Sequence, residues 1–471
     1  MLVIFIAIIT AAIFVYLYST KKGKKIPFQN VPEDELEILE LTIMEKEGNV
    51  LTSRAVSSIT LYNGDITSKF SLSEQVFDIL KANPWLAGRL VRHQFPGRKK
   101  KEIVLKYPRA FPDNKLNDHY YEKWISSAEF NEKLSLDRIS EIVNPFLSKA
   151  GIDSIDNDEI LFKIIILKIY DAASDSLSNR KVIQTALVYT LSHIIGDGHT
   201  FYRLYAFLDG RVPIESLIVK RDVTFPVCVN NERGEFYQKL MKSWKLKAAI
   251  IIRRLFLCKP ISAKVFLVKQ DALNEKKKEY LSSAPTVSST STVKIASSLG
   301  SHREKVNIVS SNDILTSLFF NKMSVAYGVM AVNFRSRKEE YTNDHAGNYE
   351  ATIIYGREDY QSPHGIRQAL LNNYSAPRTT FPDSVKAFCN FAPTLITNWS
   401  SFYVHLKFPG TNSHVYHLPL MFTTYAVSDL CVIFKKDQDQ LAMIPFIQDR
   451  DILRNFGESF LEEDSVLSPQ F

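Results

Sequence analysis

Cysteine is scarce. Only Cys228, Cys258, Cys389 and Cys431 occur in 471 residues, and none stands in C-x-x-C spacing. That scarcity excludes a disulfide-stapled scaffold and a cysteine-ligated zinc site, and it fits a reducing compartment. The ten histidines lack metal-ligand spacing, so no metal is expected. Also missing are G-x-S-x-G, a Gly-rich phosphate loop, H-E-x-x-H and a dinucleotide fingerprint. Their absence argues against hydrolases of the nucleophile-elbow type, P-loop NTPases, zinc peptidases and Rossmann dehydrogenases. No repeat of solenoid period is visible.

The N-terminus lacks charged side chains. Residues 1–18, MLVIFIAIITAAIFVYLY, carry none, and at helical rise they reach roughly 27 Å, close to a thin bilayer core. A basic n-region and an A-x-A cleavage site are both absent, which separates the segment from a signal peptide. A transmembrane anchor is therefore expected over residues 1–20. Lys21, Lys22, Lys24 and Lys25 follow it, so the positive-inside rule predicts a single-pass protein whose remaining chain faces the cytosol. The endoplasmic reticulum is the expected membrane.

An apolar content of 45% supports a substantial core. Part of the net charge of +7 is local, in those four lysines and in Arg98, Lys99, Lys100 and Lys101. The second cluster reads as a solvated loop, and nothing points to nucleic acid as a partner.

Further along, Glu159–Tyr170 and Lys181–Ser192 are β-branched apolar runs that predict two adjacent buried strands, the second ending at His193. Phe236–Leu257 predicts a basic amphipathic helix. It packs on the core with a cationic outer face, or else makes a second contact with anionic lipid, and both readings stand. The Ser/Thr-rich stretch Ser282–Ser298 reads as an exposed loop or edge strand. Asp313–Val325 predicts a helix capped by Ser310 or Ser311. Strands are expected at Gly328–Phe334, Thr394–Thr397, Val415–Phe422 and Leu441–Phe446. Mixed elements on both sides of a central crossover suggest two α/β lobes.

The stretch TLSHIIGDGHTF, residues 190–201, puts His193 at a strand end on a loop loosened by Gly196 and Gly198. A histidine so placed can take a proton from an attacking alcohol or amine near neutral pH. The alternative is a satisfied core histidine. Asp197, four residues on, has an arginine as its natural partner and would fix the loop's shape.

His193, Ile194, Ile195, Gly196, Asp197 and Gly198 resemble the H-x-x-x-D-G motif of the coenzyme A-dependent acyltransferase superfamily, which includes the BAHD acyltransferases and condensation domains. Four further regions resemble that superfamily in the expected order. They are NPWLAGRL (83–90), VSSNDILTSLFF (309–320), VNFRSR (332–337) with Gly347-Asn348 after it, and ITNWSS (396–401). The plant-type D-F-G-W-G does not occur, the corresponding region being LKFPGTN (406–412), and Ser192 stands where a second histidine precedes the motif in some relatives.

The resemblance implies an α/β fold of two chloramphenicol acetyltransferase-like lobes around a central solvent channel, here behind the transmembrane helix. An N-terminal lobe at 26–215, a crossover at 216–305 and a C-terminal lobe at 306–471 are expected. It implies acyl-CoA as cosubstrate with no permanently bound cofactor, an alcohol or amine acceptor, and His193 as general base. Asp197 would pair with Arg335, while Thr397, Asn398 and Trp399 would line the site, Thr397 donating to the oxyanion. The anchor suggests a lipophilic acceptor, and a monomer is expected. A non-catalytic, membrane-tethered binding protein that retains the fold stays open as the alternative.

Overall fold

The structure is a computed structural model. It describes residues 28, 31–46, 48–173, 181–225, 243–245, 248, 252, 259–282, 308–325, 327–337, 339–371, 394–409, 411–420, 425–426 and 428–468. The anchor expected at 1–20 and its four lysines lie outside these residues, as do most of the amphipathic helix at 236–257 and nearly all of the Ser/Thr-rich stretch. Among the described residues no helix is long and apolar enough to cross a membrane.

Two large sheets organise the chain. The first has five strands in the order Thr411–Pro419, Val56–Gly64, Val182–Leu191, Phe162–Tyr170 and Tyr120–Ser126. The two strands expected before His193 are neighbours in it, antiparallel, with Ile164 opposite Tyr189 and Phe162 opposite Leu191. Ile164, Ile165, Ile166 and Leu167 are all fully buried, because this strand is covered on both faces and a continuous β-branched run suits such a position.

The second sheet has eight strands. Seven run in the order Glu350–Gly356, Tyr327–Asn333, Thr394–Asn398, Leu430–Lys435, Leu441–Ile447, Phe266–Val268 and Leu461–Glu463, and Ser262–Ala263 pairs with Leu441–Ile447. Helices Ser311–Met323 and Pro363–Leu371 share a core with one face of it, where Phe319, Phe320 and Ile366 join Met330, Ile353 and Tyr355. Ser310 caps the first of these helices in a capping box with Asp313, and Arg367 adds a 2.6 Å ion pair to Asp313. On the opposite face Ala331, Asn333, Glu350, Thr352, Leu395 and Thr397 alternate with the buried positions and stay half-buried.

Two segments pair with a sheet built mainly from another part of the chain. Thr411–Pro419, from the C-terminal third, forms an outer strand of the first sheet, with Leu418 opposite Ile59. Ser262–Ala263 and Phe266–Val268, from the crossover, belong to the second sheet. The period-2 pattern of each segment shows a strand with an apolar face but not which sheet receives it. Arg98 is exposed and paired with Glu40 and Glu102 at 2.8 and 2.7 Å, the surface role expected of that basic cluster.

Candidate active site

Strand Val182–Leu191 ends at a tight turn in which Ile195 N donates to Ser192 O at 3.0 Å. His193 emerges half-buried from this turn, and helix Gly198–Tyr205 begins directly after it. Asp197 is the helix N-cap, its Oδ1 accepting from Thr200 N at 2.9 Å. Its Oδ2 accepts from Arg335 Nη1 at 2.7 Å and from Tyr349 N at 3.1 Å. Both oxygens are thus committed away from His193.

Asp197 and Arg335 are 1% and 3% exposed. Arg335 also donates from Nε to His345 O at 2.8 Å and from Nη2 to Gly347 O at 2.8 Å. Burial pushes the Asp197 carboxyl up, but the Arg335 charge and hydrogen bond outweigh it and hold the group below the usual carboxylate range. The pair ties the histidine loop of the first lobe to the 344–349 segment of the second. The pairing expected from the motif is present, and its function in the fold is anchoring.

That segment brings a residue to His193. Asn348 Oδ1 lies 3.1 Å from His193 Nδ1. Asn348 Nδ2 donates to His193 O at 2.8 Å and to Glu45 Oε1 at 3.1 Å, and the Asn348 backbone N–H donates to the same carboxylate oxygen at 3.1 Å. Two acceptors on Nδ2 fix which end of the amide faces the ring. Oδ1 can only accept, so Nδ1 carries a proton, and in the neutral ring this leaves Nε2 with its lone pair.

Glu45 is itself held by Arg221, whose Nε donates at 3.0 Å, with both side chains fully buried. Arg221 continues to Ile195 O at 3.0 Å and Ala346 O at 2.7 Å. One guanidinium therefore braces the turn after His193 and the segment carrying Asn348. Gly347 permits this packing, since a Cβ there would fall 2.5 Å from Arg221 Cζ at a backbone φ of +119°.

The free Nε2 of His193 faces Glu350, whose Oε1 is 3.8 Å away. Glu350 opens the edge strand opposite Asn333. Burial pushes its carboxyl up, partly offset by the nearby imidazole. Glu350 also lines a narrow cleft with Gly198, His199, Asn333, Thr397, Trp399 and Phe402 among others.

The other expected residues gather there. Trp399 is 6% exposed and packs against Phe201 and Tyr202. A Cβ on Gly198 would stand 3.2 Å from its Nε1, so the glycine lets the indole close on the helix start. Thr397 lines the cleft. Asn398 does too, but its side chain is turned to local bonds, donating to Asn312 Oδ1 at 2.9 Å and accepting from Ser400 N at 2.9 Å. A Cβ on Gly196 would meet Leu191 Cδ2 at 2.8 Å, which keeps that turn tight. Among the described residues no group of three His, Cys, Asp or Glu side chains converges as a metal site.

Glu45, Arg221 and Glu350 carried no sequence signal, and Asn348 appeared only as the second letter of a G-N match. Their spacing from His193 reflects tertiary contact alone, which a single sequence does not display.

No protein-family model matches the sequence, and no curated protein does. Solved structures match across nearly the whole chain. TRI101 from F. graminearum, complexed with coenzyme A and T-2 mycotoxin, has a TM-score of 0.58 at 12% identity, over 91% of this chain and 99% of that one. Vinorine synthase gives 0.50 at 12%, over 95% and 97%. The first condensation domain of the CDA synthetase gives 0.52 at 10%, over 88% and 91%. At these identities the likeness is one of fold, and the chain has the chloramphenicol acetyltransferase-like α/β architecture that its motifs imply.

Proposed function

We propose that the protein is an acyltransferase that moves an acyl group from acyl-CoA to a hydroxyl or amine of a lipophilic acceptor, with His193 as general base. The observation that carries this is the Asn348 amide, held by Glu45 and His193 O so that its oxygen meets Nδ1, the tautomer in which the neutral ring keeps Nε2 free as a base beside the cleft. In this reading Nε2 takes a proton from the acceptor as the acceptor attacks the thioester carbonyl. Thr397, on the cleft wall, donates to the resulting oxyanion. Collapse breaks the C–S bond, and the departing thiolate recovers the proton from His193 as free CoA thiol. General-base help of this kind contributes about 10²–10⁴-fold.

Residues 1–18 and the lysines after them support a membrane anchor with the catalytic lobes in the cytosol, and the endoplasmic reticulum is the membrane proposed. Asn398 opens an N-x-S sequon in the cleft, so a lumenal domain would risk a glycan at the site. Absence of glycosylation at Asn398 in cells fits this topology, and its presence would overturn it.

The test is full-length protein supplied with a panel of acyl-CoAs, with and without alcohols and amines, while free CoA thiol is followed. Acceptor-dependent release is expected. No release with any pair would favour the non-catalytic binding protein instead.

A further inference from the structure

We infer that the acceptor taken by this site is a primary amine, held as its ammonium form between Glu350 and His193. This rests on the acyltransferase reading above and narrows it. Among the described residues the Glu350 carboxylate makes no hydrogen bond, and the basic side chain nearest it, the His193 imidazole 3.8 Å away, brings no positive charge in the tautomer that leaves Nε2 free. A half-buried carboxylate left without a donor is costly, and burial already pushes its carboxyl up.

The cleft offers that carboxylate no cation. Two acidic residues line it, Asp197 and Glu350, and neither lysine nor arginine does. Asp197 is matched by Arg335, so Glu350 is the uncompensated charge. Ala331, Val332, Trp399 and Phe402 supply apolar walls around it, where a charged partner gains more than it would in water.

Geometry then separates amine from alcohol. A gap of 3.8 Å lets one donor atom stand within about 3 Å of both Nε2 and Oε1. A hydroxyl has a single proton and satisfies one of them, leaving the other bare. An ammonium nitrogen satisfies both and brings the missing positive charge. A site whose polar groups stay unpaired with the wrong ligand discriminates strongly against it.

The protons balance. The ammonium gives one proton through Glu350 to solvent, and the neutral nitrogen attacks the thioester carbon to form the C–N bond. His193 Nε2 takes the second proton, the C–S bond breaks, and the thiolate leaves as CoA thiol with that proton. The third remains on the amide.

The experiment compares hexylamine with 1-hexanol as acceptors for the full-length chain. Acetyl-, octanoyl- and palmitoyl-CoA serve as donors, and products are identified by mass. The wild type is expected to favour the amine by tenfold or more in kcat/KM, and Glu350→Gln to lower that ratio at least tenfold with a raised KM for hexylamine. Preference for hexanol, or an unchanged ratio in Glu350→Gln, overturns the inference. Calorimetric titration with hexylammonium chloride separates the two levels of the account. Binding to wild type that is lost in Glu350→Gln sustains the amine site even if no acyl transfer occurs, and absence of binding overturns it.

Discussion

Asn348 Oδ1 meets His193 Nδ1 at 3.1 Å while the other end of the same amide is held by Glu45. The imidazole tautomer is thus set from the second lobe, through a carboxylate that Arg221 holds in place. Without the amide oxygen, the ring is free to place its proton on Nε2, where it cannot act as a base. Asn348→Ala is expected to lower kcat by about 10²-fold, the low end of general-base contributions, with KM for acyl-CoA little changed. Steady-state kinetics at saturating acceptor check this, and undiminished kcat would remove Asn348 from the account.

The Asp197–Arg335 pair is fully buried, and breaking one side leaves the other charge unmatched. Asp197→Asn and Arg335→Ala are each expected to cost about 3–5 kcal/mol of stability. Their combined loss should be clearly smaller than the sum, because the second change removes an already orphaned charge. Urea unfolding of both single variants and the double variant measures this coupling, and strict additivity would show that the two side chains do not depend on each other.

Gly347 sits at φ +119° with the Arg221 guanidinium against its missing Cβ. Gly347→Ala is expected to destabilise the fold by about 1–3 kcal/mol and to displace Arg221, lowering acyl transfer with it. Thermal unfolding and the CoA-release assay on the same sample test this, and a variant with wild-type values in both would contradict the packing described.

Acid should weaken the fold through buried histidines. His119 Nδ1 donates to Phe162 O at 2.8 Å, and His417 lies between Thr60 and Tyr202 at 2.8 Å from each. Burial pushes His119 down to about 4 and His417 down to about 3. The unfolded chain binds their protons first, near the ordinary histidine value of about 6.5. Stability is therefore full above about pH 6.5 and falls below it, by about 1.4 kcal/mol per pH unit for each histidine until its folded value is reached. The lowered carboxyl of Asp197 acts in the same direction at lower pH, its contribution being present above the usual carboxylate range and lost as pH falls through it. Unfolding free energies at pH 7, 6 and 5 should show this slope, and His417→Gln should flatten it.

What was legible in the sequence was local. The β-branched runs before His193, the Ser310 cap, and the strands at Tyr327–Asn333 and Leu441–Ile447 follow from periodicity and end signals over a few residues. The Asp197–Arg335 pair was reachable through motif resemblance, since both residues sit in recognisable stretches. Glu45 and Arg221 were not, because a buried ion pair between residues 176 apart leaves no periodic trace. Glu350 stayed hidden for a related reason, as its meaning depends on the edge strand delivering it opposite Nε2 of a histidine from the other lobe. The placement of Thr411–Pro419 was hidden too, since an amphipathic strand does not announce its partner.

The most direct test of His193 as general base compares wild type with His193→Ala and His193→Gln in CoA-thiol release, using the best acyl-CoA and acceptor found in the panel. Circular dichroism on the same samples confirms the fold. In both variants kcat is expected to fall by about 10²–10⁴-fold with the fold retained. Release from folded His193→Ala equal to wild type would contradict it.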